Sequence, residues 1–213
     1  MMLETYKSIL KAAEIEFVEK GSRFIGYAFP VETEKAALEH ITELRAFHPK
    51  AHHNCFAYQI GAANQYKRQS DDGEPSGTAG MPILDVIAKQ DLKDVLVVVT
   101  RYFGGTLLGA GGLVRAYSRG AKEAVAAAGV ITNVLHQTFH VTVPYTLGGK
   151  LEHEIRTQGY VLADTVYAEN IEFVIQTPAP SAERVAKHLT NLTNAEAKIA
   201  KGQTVYINLS PRA

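Results

Sequence analysis

The sequence predicts an α+β protein of two domains, and three observations carry that expectation. Residues 95–99, VLVVV, are apolar at every position, as in a strand buried on both faces. Residues 113–128 are alanine-rich, helically spaced and followed by a glycine. From His140 onward the apolar period alternates between strand and helix values in the order β-α-β-β-α-β, the ferredoxin-like split arrangement. A chain of 213 residues is long enough to give each unit its own core. The boundary is expected between residues 133 and 137, giving domains 1–133 and 138–213.

The first domain opens with Ile15 and Phe17, then Phe24 and Tyr27, as strands around a turn at Lys20, Gly21 and Ser22. Thr33 can cap a helix in which Leu38, Ile41, Leu44 and Arg45 fall at helical spacing, stopped by Pro49. HHNCFAYQIG reads as a strand. After it comes RQSDDGEPSGTAGMP, residues 68–82, with three acids, three glycines and two prolines. A connection so polar and so long is either a loose surface loop or one ordered for a purpose. MPILDVIAKQDLK then reads as a short helix and DVLVVVTRYF as a strand. The alanine-rich helix offers Leu113, Tyr117, Ala121, Ala124 and Ala128 to the core, with Gly129 beyond its end.

In the second domain HVTVPY places Val141 and Val143 on one face of a strand. Leu147, Leu151 and Ile155 are spaced for a helix ended by Gly159, and VLADTVYA and IEFVIQT are strands around Glu169 and Asn170. Ser181 is expected to cap a helix carrying Val185, Leu189 and Leu192. TVYINL, with Val205, Ile207 and Leu209, makes the last strand.

Charge and composition exclude several classes. Lys+Arg 22 balances Asp+Glu 22 for a net charge of +0, so the protein does not coat a polyanion through bulk charge, and any such contact is local. One cysteine, Cys55, forms no internal disulfide. MMLETYKSIL lacks the basic flank and apolar run of a signal peptide, and no apolar run has the length of a membrane span. The expected location is the cytoplasm, with no membrane partner.

Chemistry is concentrated in three segments of the first domain: HPKAHHNC, SDDGEPSGTAG and RYFGGTLLGAGGLVR. Gly104, Gly105, Gly109, Gly111 and Gly112 lead into a helix, where free backbone N–H groups and the helix dipole can hold an anion. Tight turns and close helix packing explain the same glycines. The spacing excludes a Walker loop, because Ala110 and Gly111 stand where Lys and Ser or Thr are needed, and GAGGLV fails GxGxxG. Arg115, Arg119 and Lys122 form a basic stripe along that helix, either a phosphate-backbone contact or a solvated face with Glu123 beside Arg119. Arg101 ends an apolar strand, so it is partly buried and needs acceptors, for which Asp71, Asp72 and Glu74 are available.

His48, His52, His53 and Cys55 invite a metal site, but on a strand His52 lies opposite His53 and Cys55, so they do not converge. Cys55 reads as a small core residue rather than a nucleophile. Asp71, Asp72 and Glu74 are either a general acid–base set or, in the reading favoured by the residues, side chains that close turns around Gly73 and Gly77. No metal and no cofactor is expected, and no catalytic residue is assigned.

The stretches SDDGEPSGTAGMP and VLVVVTRYFGGTLLGAGGLVRAY, followed by a small β-α-β-β-α-β unit, resemble the IMPACT/YigZ family, formerly an uncharacterised protein family, over essentially the whole chain. The loop motif is matched by Asp71, Asp72, Gly73, Glu74, Pro75, Gly77, Thr78, Ala79, Gly80 and Pro82, and the second motif by Arg101, Tyr102, Gly104 and Gly105. The resemblance implies an N-terminal α/β sandwich like the second domain of the fifth small-subunit ribosomal protein and domain four of elongation factor G. It implies a C-terminal domain like domain five of that factor. Both folds recur in proteins that touch ribosomal RNA, although fold alone does not assign function. Eukaryotic members of the family regulate translation by competing for a co-activator of a starvation-sensing kinase. They carry an additional N-terminal domain for which this sequence has no room, so that partner is not carried over.

The function expected is therefore that of a non-catalytic, cytoplasmic, translation-associated protein binding RNA, the ribosome or a translation factor. Its binding residues would be Arg101, Tyr102, Gly104, Gly105, Gly109, Gly111, Gly112, Arg115, Arg119 and Lys122, with Asp71, Asp72, Gly73, Glu74 and Thr78 in the ordered loop. The alternative is an enzyme acting on a phosphorylated or peptidic small molecule through the acid-rich loop, His53 and Arg101.

Overall fold

The structure, a computed structural model, describes residues 2–208 and divides into two compact units. The first comprises residues 6–132. The second comprises residues 2–5 and 133–208.

The first unit holds β1 (Thr5–Ile9, but for Thr5), β2 (Ala13–Glu19), β3 (Ser22–Pro30), α1 (Glu34–Phe47), β4 (His53–Ile60), β5 (Tyr66–Ser70), α2 (Gly80–Lys89), β6 (Val95–Tyr102) and α3 (Ala110–Ala128). Strands β2-β3-β6-β4-β5 form an antiparallel sheet with β6 at its centre. Because β6 has neighbours on both edges and helices on both faces, its first seven residues are buried, as its unbroken apolar run requires. On one face Val95, Val97 and Val99 meet α2 and α3, with Tyr117, Ala121 and Ala124 from the latter. On the other, Leu96 and Val98 meet Ile41 and Leu44 of α1. The unit is an α/β/α sandwich.

Local chemistry fixes the joints. The β2–β3 turn places Lys20 at φ 47° and Gly21 at φ 81°, the left-handed pair that matches strand twist in a two-residue hairpin. Thr33 caps α1 by accepting the Ala36 N–H at 3.2 Å, and the helix ends before Pro49. Of the residues at helical spacing, Ile41 and Leu44 are buried together with Ala37, whereas Leu38 is 41% exposed. The strand β5 is not foreshadowed by the sequence. Its residues YKRQS have no apolar alternation because it is an edge strand paired only with β4, and it takes Arg68, Gln69 and Ser70 out of the polar loop.

β7 (Val130–Val143) starts in the first unit and continues into the second. Residues 133–137, expected as a boundary segment ahead of a strand, therefore lie inside one, paired with residues 204–208. α4 (Tyr145–Gln158), β8 (Val161–Tyr167), β9 (Ile171–Pro178), α5 (Ala182–Leu192) and β10 (Lys198–Asn208) follow. The spatial order β8-β9-β7-β10, all antiparallel, is that of the ferredoxin-like fold. Phe139, Val141, Leu151, Ile155, Phe173 and Leu189 fill its core. Gly159 ends α4 at φ 68°. Ser181 sits at the start of α5 after a single 3₁₀ turn, yet its side chain makes no capping bond, contrary to expectation. Leu209 lies outside the described residues.

Candidate functional site

The acid-rich loop is ordered, and its two aspartates fold it. Asp71 closes the loop on itself by accepting the backbone N–H groups of Gly77 (2.9 Å), Ala79 (3.0 Å) and Gly80 (2.8 Å). Burial pushes the Asp71 carboxyl up, but the bonds from Gly77, Gly80 and Ala79 outweigh it and hold the group below its ordinary value. Asp72, with φ 45°, docks the loop on its surroundings: it accepts from Arg45 at 2.6 Å and from the Asn54 N–H at 2.7 Å. The loop's carbonyls complete the join to β4. The Asp72 carbonyl accepts from His53 Nδ1 at 2.9 Å, and the Asp71 carbonyl from the Cys55 thiol at 2.9 Å. Thr78 is buried and donates to the Pro75 carbonyl at 2.6 Å.

Glu74 is the acid that the loop delivers inward. Its Oε1 accepts from Arg101 Nη1 and from the Tyr117 hydroxyl, each at 2.7 Å, and both Glu74 and Arg101 are buried. Arg101 also donates to Ser22 Oγ at 3.2 Å, and its guanidinium lies 5.4 Å from the Phe24 ring centroid and 5.6 Å from that of Phe103. Of the three acids open to Arg101, the structure selects Glu74, because Asp71 and Asp72 are engaged in shaping the loop. A buried charge pair of this kind is far more costly to break than to keep; removing one partner typically costs about 3–5 kcal/mol.

His53 stands beside this pair. A carbonyl can only accept, so His53 Nδ1 carries a proton toward Asp72, leaving Nε2, 3.9 Å from Glu74 Oε1, as the nitrogen able to take one up. Burial pushes the Cys55 thiol far up, so the residue is a packed, unreactive side chain. His52 accepts the Phe103 N–H at 3.2 Å. Among the described residues no three His, Cys, Asp or Glu side chains are placed to hold a metal ion. A cavity of about 420 Å³ lies over the cluster, lined by His53, Glu74, Arg101, Phe103 and Leu107 with Gly109 and Ala110 at the start of α3. Phe103 and Leu107 are 40% and 82% exposed.

The glycines have identifiable local duties. A Cβ on Gly104 would fall 1.9 Å from the Gly21 carbonyl, so the glycine-rich segment and the β2–β3 turn touch backbone to backbone. The Gly104 N–H donates to Ser22 Oγ at 3.3 Å. Gly109, at φ 72°, starts α3 without a side-chain cap, with Gly111 and Gly112 in the first turn and Gly105 exposed ahead of it. Tyr102 is not part of this cluster. Alternation along β6 turns it to the opposite face, where its hydroxyl meets His48 Nδ1 at 2.8 Å.

Arg115, Arg119 and Lys122 do line one shallow groove, with Val86 and Val114, of about 560 Å³. Arg119 is partly engaged within the protein: it donates to Glu123 at 2.8 Å and covers the Phe17 ring at 4.2 Å. Arg115 and Lys122 are exposed. The partners that sequence reasoning missed are Tyr117 and Ser22. Spacing alone makes Tyr117 a core residue, and the available signal was its hydroxyl, which a buried tyrosine must satisfy.

Residues 20–125 match the model of the Impact N-terminal domain, and residues 141–196 match a domain of unknown function, DUF1949. The chain is 41% identical over 206 residues to IMPACT family member YvyE of Bacillus subtilis, covering 97% of this chain and 95% of that one. It is 37% identical over 174 residues to an IMPACT family member of Thermus thermophilus, covering 81% and 93%. It is 35% identical over 96 residues to the protein IMPACT homolog of Saccharomyces cerevisiae, covering 43% and 36%. Among solved structures, the crystal structure of a hypothetical protein superposes with a TM-score of 0.61 at 26% identity, covering 95% of this chain and 99% of that one.

Proposed function

Because the chain belongs to the IMPACT family, we propose that it is a non-catalytic, cytoplasmic binding protein of the translation apparatus whose partner is RNA, the ribosome or a translation factor. The observation that carries this reading is a division of labour. The reactive-looking groups of the acid-rich loop are each engaged within the protein: Asp71 by three backbone N–H groups, Asp72 by Arg45 and Asn54, Glu74 by Arg101 and Tyr117, and Thr78 by the Pro75 carbonyl. The surface they support faces water, with Phe103, Leu107 and Val114 as apolar exposed residues and Arg115 and Lys122 as exposed cations. A rigid base under an exposed aromatic, apolar and basic rim favours binding by contact over catalysis. The glycine-started helix and its exposed cations Arg115 and Lys122 would meet phosphate, with Arg101, Gly104 and Gly105 holding the approach in shape.

The test is binding of single-stranded RNA and of ribosomes across a salt series. Two phosphate contacts, from Arg115 and Lys122, give a log-log salt slope of about −1.4 for RNA. Reversing both charges is expected to remove the salt-dependent binding while leaving the melting temperature unchanged.

The enzymatic reading is favoured by one observation, the cavity of about 420 Å³ into which His53 and Arg101 open, a volume within the range of small-molecule sites. Turnover of a metabolite abolished by His53→Ala, in a protein that ignores RNA and ribosomes at low salt, would establish it instead.

A further inference from the structure

A second cavity, in the ferredoxin-like unit, has the lining of a ligand site. It measures about 490 Å³ and is bounded by the end of α4 (Gln158, Gly159), by Tyr160 and Pro178, and by the first turns of α5 (Ser181, Arg184, Val185, His188). Its lining contains a permanent cation and a histidine but, among the described residues, no carboxylate. That balance favours an anion, because the carboxylate beside the lining, Glu154, is already engaged by His188 and Gln158.

The polar groups also set its shape. Arg184 and His188 stand four residues apart on α5 and so face the same side of the helix. Arg184 has no carboxylate within ion-pair distance among the described residues; its contact is with Ser181 Oγ at 3.3 Å. Ser181 does not use that oxygen to cap the helix. His188 is held by Glu154 through Nε2 at 2.7 Å, which orients the ring and occupies the one acid close to it. A guanidinium fork, a hydroxyl and an imidazole on one rim suit a tetrahedral oxyanion with several acceptor oxygens better than a flat carboxylate. The lining also carries apolar surface, from the buried Val185 and from Tyr160 and Pro178. A flat ring system attached to the anion would lie there.

We propose that this cavity binds a small phosphate monoester carried on an aromatic body, of the class of a free nucleoside monophosphate. The site is separate from α3 and does not depend on the reading proposed for it.

The full-length chain titrated with AMP, by calorimetry, tests it against adenosine and inorganic phosphate. AMP is expected to bind at least about tenfold more tightly than either, because each supplies one half of the recognition. Arg184→Ala is expected to weaken AMP about tenfold or more, the value of a charge-assisted contact, and Arg184→Lys to restore part of it. Arg184 is exposed, so both variants will fold. AMP bound no more tightly than inorganic phosphate, or bound equally by Arg184→Ala, would overturn the proposal.

Discussion

Glu74 and Arg101 are 27 residues apart in sequence and 2.7 Å apart in space, with side chains 3% and 6% exposed, and each is the other's counter-charge. The pair joins the acid-rich loop to the central strand, and the Tyr117 hydroxyl ties both to α3. Arg101→Ala is therefore expected to cost about 3–5 kcal/mol in urea unfolding, because Glu74 is left buried and uncompensated. In double-mutant cycles Arg101→Ala should couple with Glu74→Gln by more than about 0.5 kcal/mol and add independently with Asp72→Asn, whose partners are Arg45 and Asn54. The reverse pattern would reassign the pair.

Asp71 makes the loop acid-sensitive. Its carboxyl titrates below the ordinary value in the folded state, so its stabilisation is complete above the unfolded pKa and disappears as pH falls through the folded one. Asp71→Asn should lower stability at neutral pH by about 1–3 kcal/mol, through loss of charge-assisted bonds to backbone N–H groups. As pH falls below roughly 4 the gap between wild type and variant should begin to narrow, and it should close only below the lowered folded-state value. A gap constant across that range would show that the charge of Asp71 contributes nothing.

Two glycines should respond to alanine in opposite senses. Gly104→Ala places a methyl carbon against the Gly21 backbone, which no rotamer change can relieve, and should destabilise by at least about 1–3 kcal/mol. Gly149 lies within α4 and has nothing within 4 Å of the point a methyl carbon would occupy, so alanine there should stabilise by about 0.5–1 kcal/mol. A Gly104→Ala variant that melts no lower than wild type would contradict the backbone contact, and a Gly149→Ala variant that melts lower would contradict the open space at that position.

Cys55 should resist thiol reagents at neutral pH until the protein unfolds, since burial both shields the sulfur and disfavours its thiolate. Labelling by a disulfide reagent at the rate of a free cysteine in the folded state would place the thiol at the surface.

Much of the fold was legible because apolar spacing reports burial directly. The VLVVV run announced a strand with two buried faces, and the helical spacing of Leu113, Tyr117, Ala121, Ala124 and Ala128 identified five residues that are all in the core. What escaped was structure whose sequence signal is polar or absent. YKRQS is a strand only because β4 offers it an edge, and residues 133–137 continue β7 because β10 pairs with them. The candidate site was legible by membership but not by pairing. Sequence brought Arg101 and three acids into one frame; choosing Glu74 required knowing that Asp71 faces the Gly77, Ala79 and Gly80 amides and that Asp72 faces Arg45. Tyr102, adjacent to Arg101, shares a motif with it although strand alternation sends the two to opposite faces.

The contact between Gly104 and Gly21 has a consequence for engineering the chain. Short hairpin turns at the surface are ordinarily the places to splice in an epitope, to open a permuted terminus or to lengthen a loop. The Lys20-Gly21 turn meets every sequence criterion for such a site, yet the backbone of Gly104 rests on it and Ser22 beside it holds both Arg101 and Gly104. Residues added there would push the glycine-rich segment away from Arg101 and loosen the entry to α3, whereas the turn at Glu169 and Asn170 offers an insertion point remote from that architecture in sequence and in bonding.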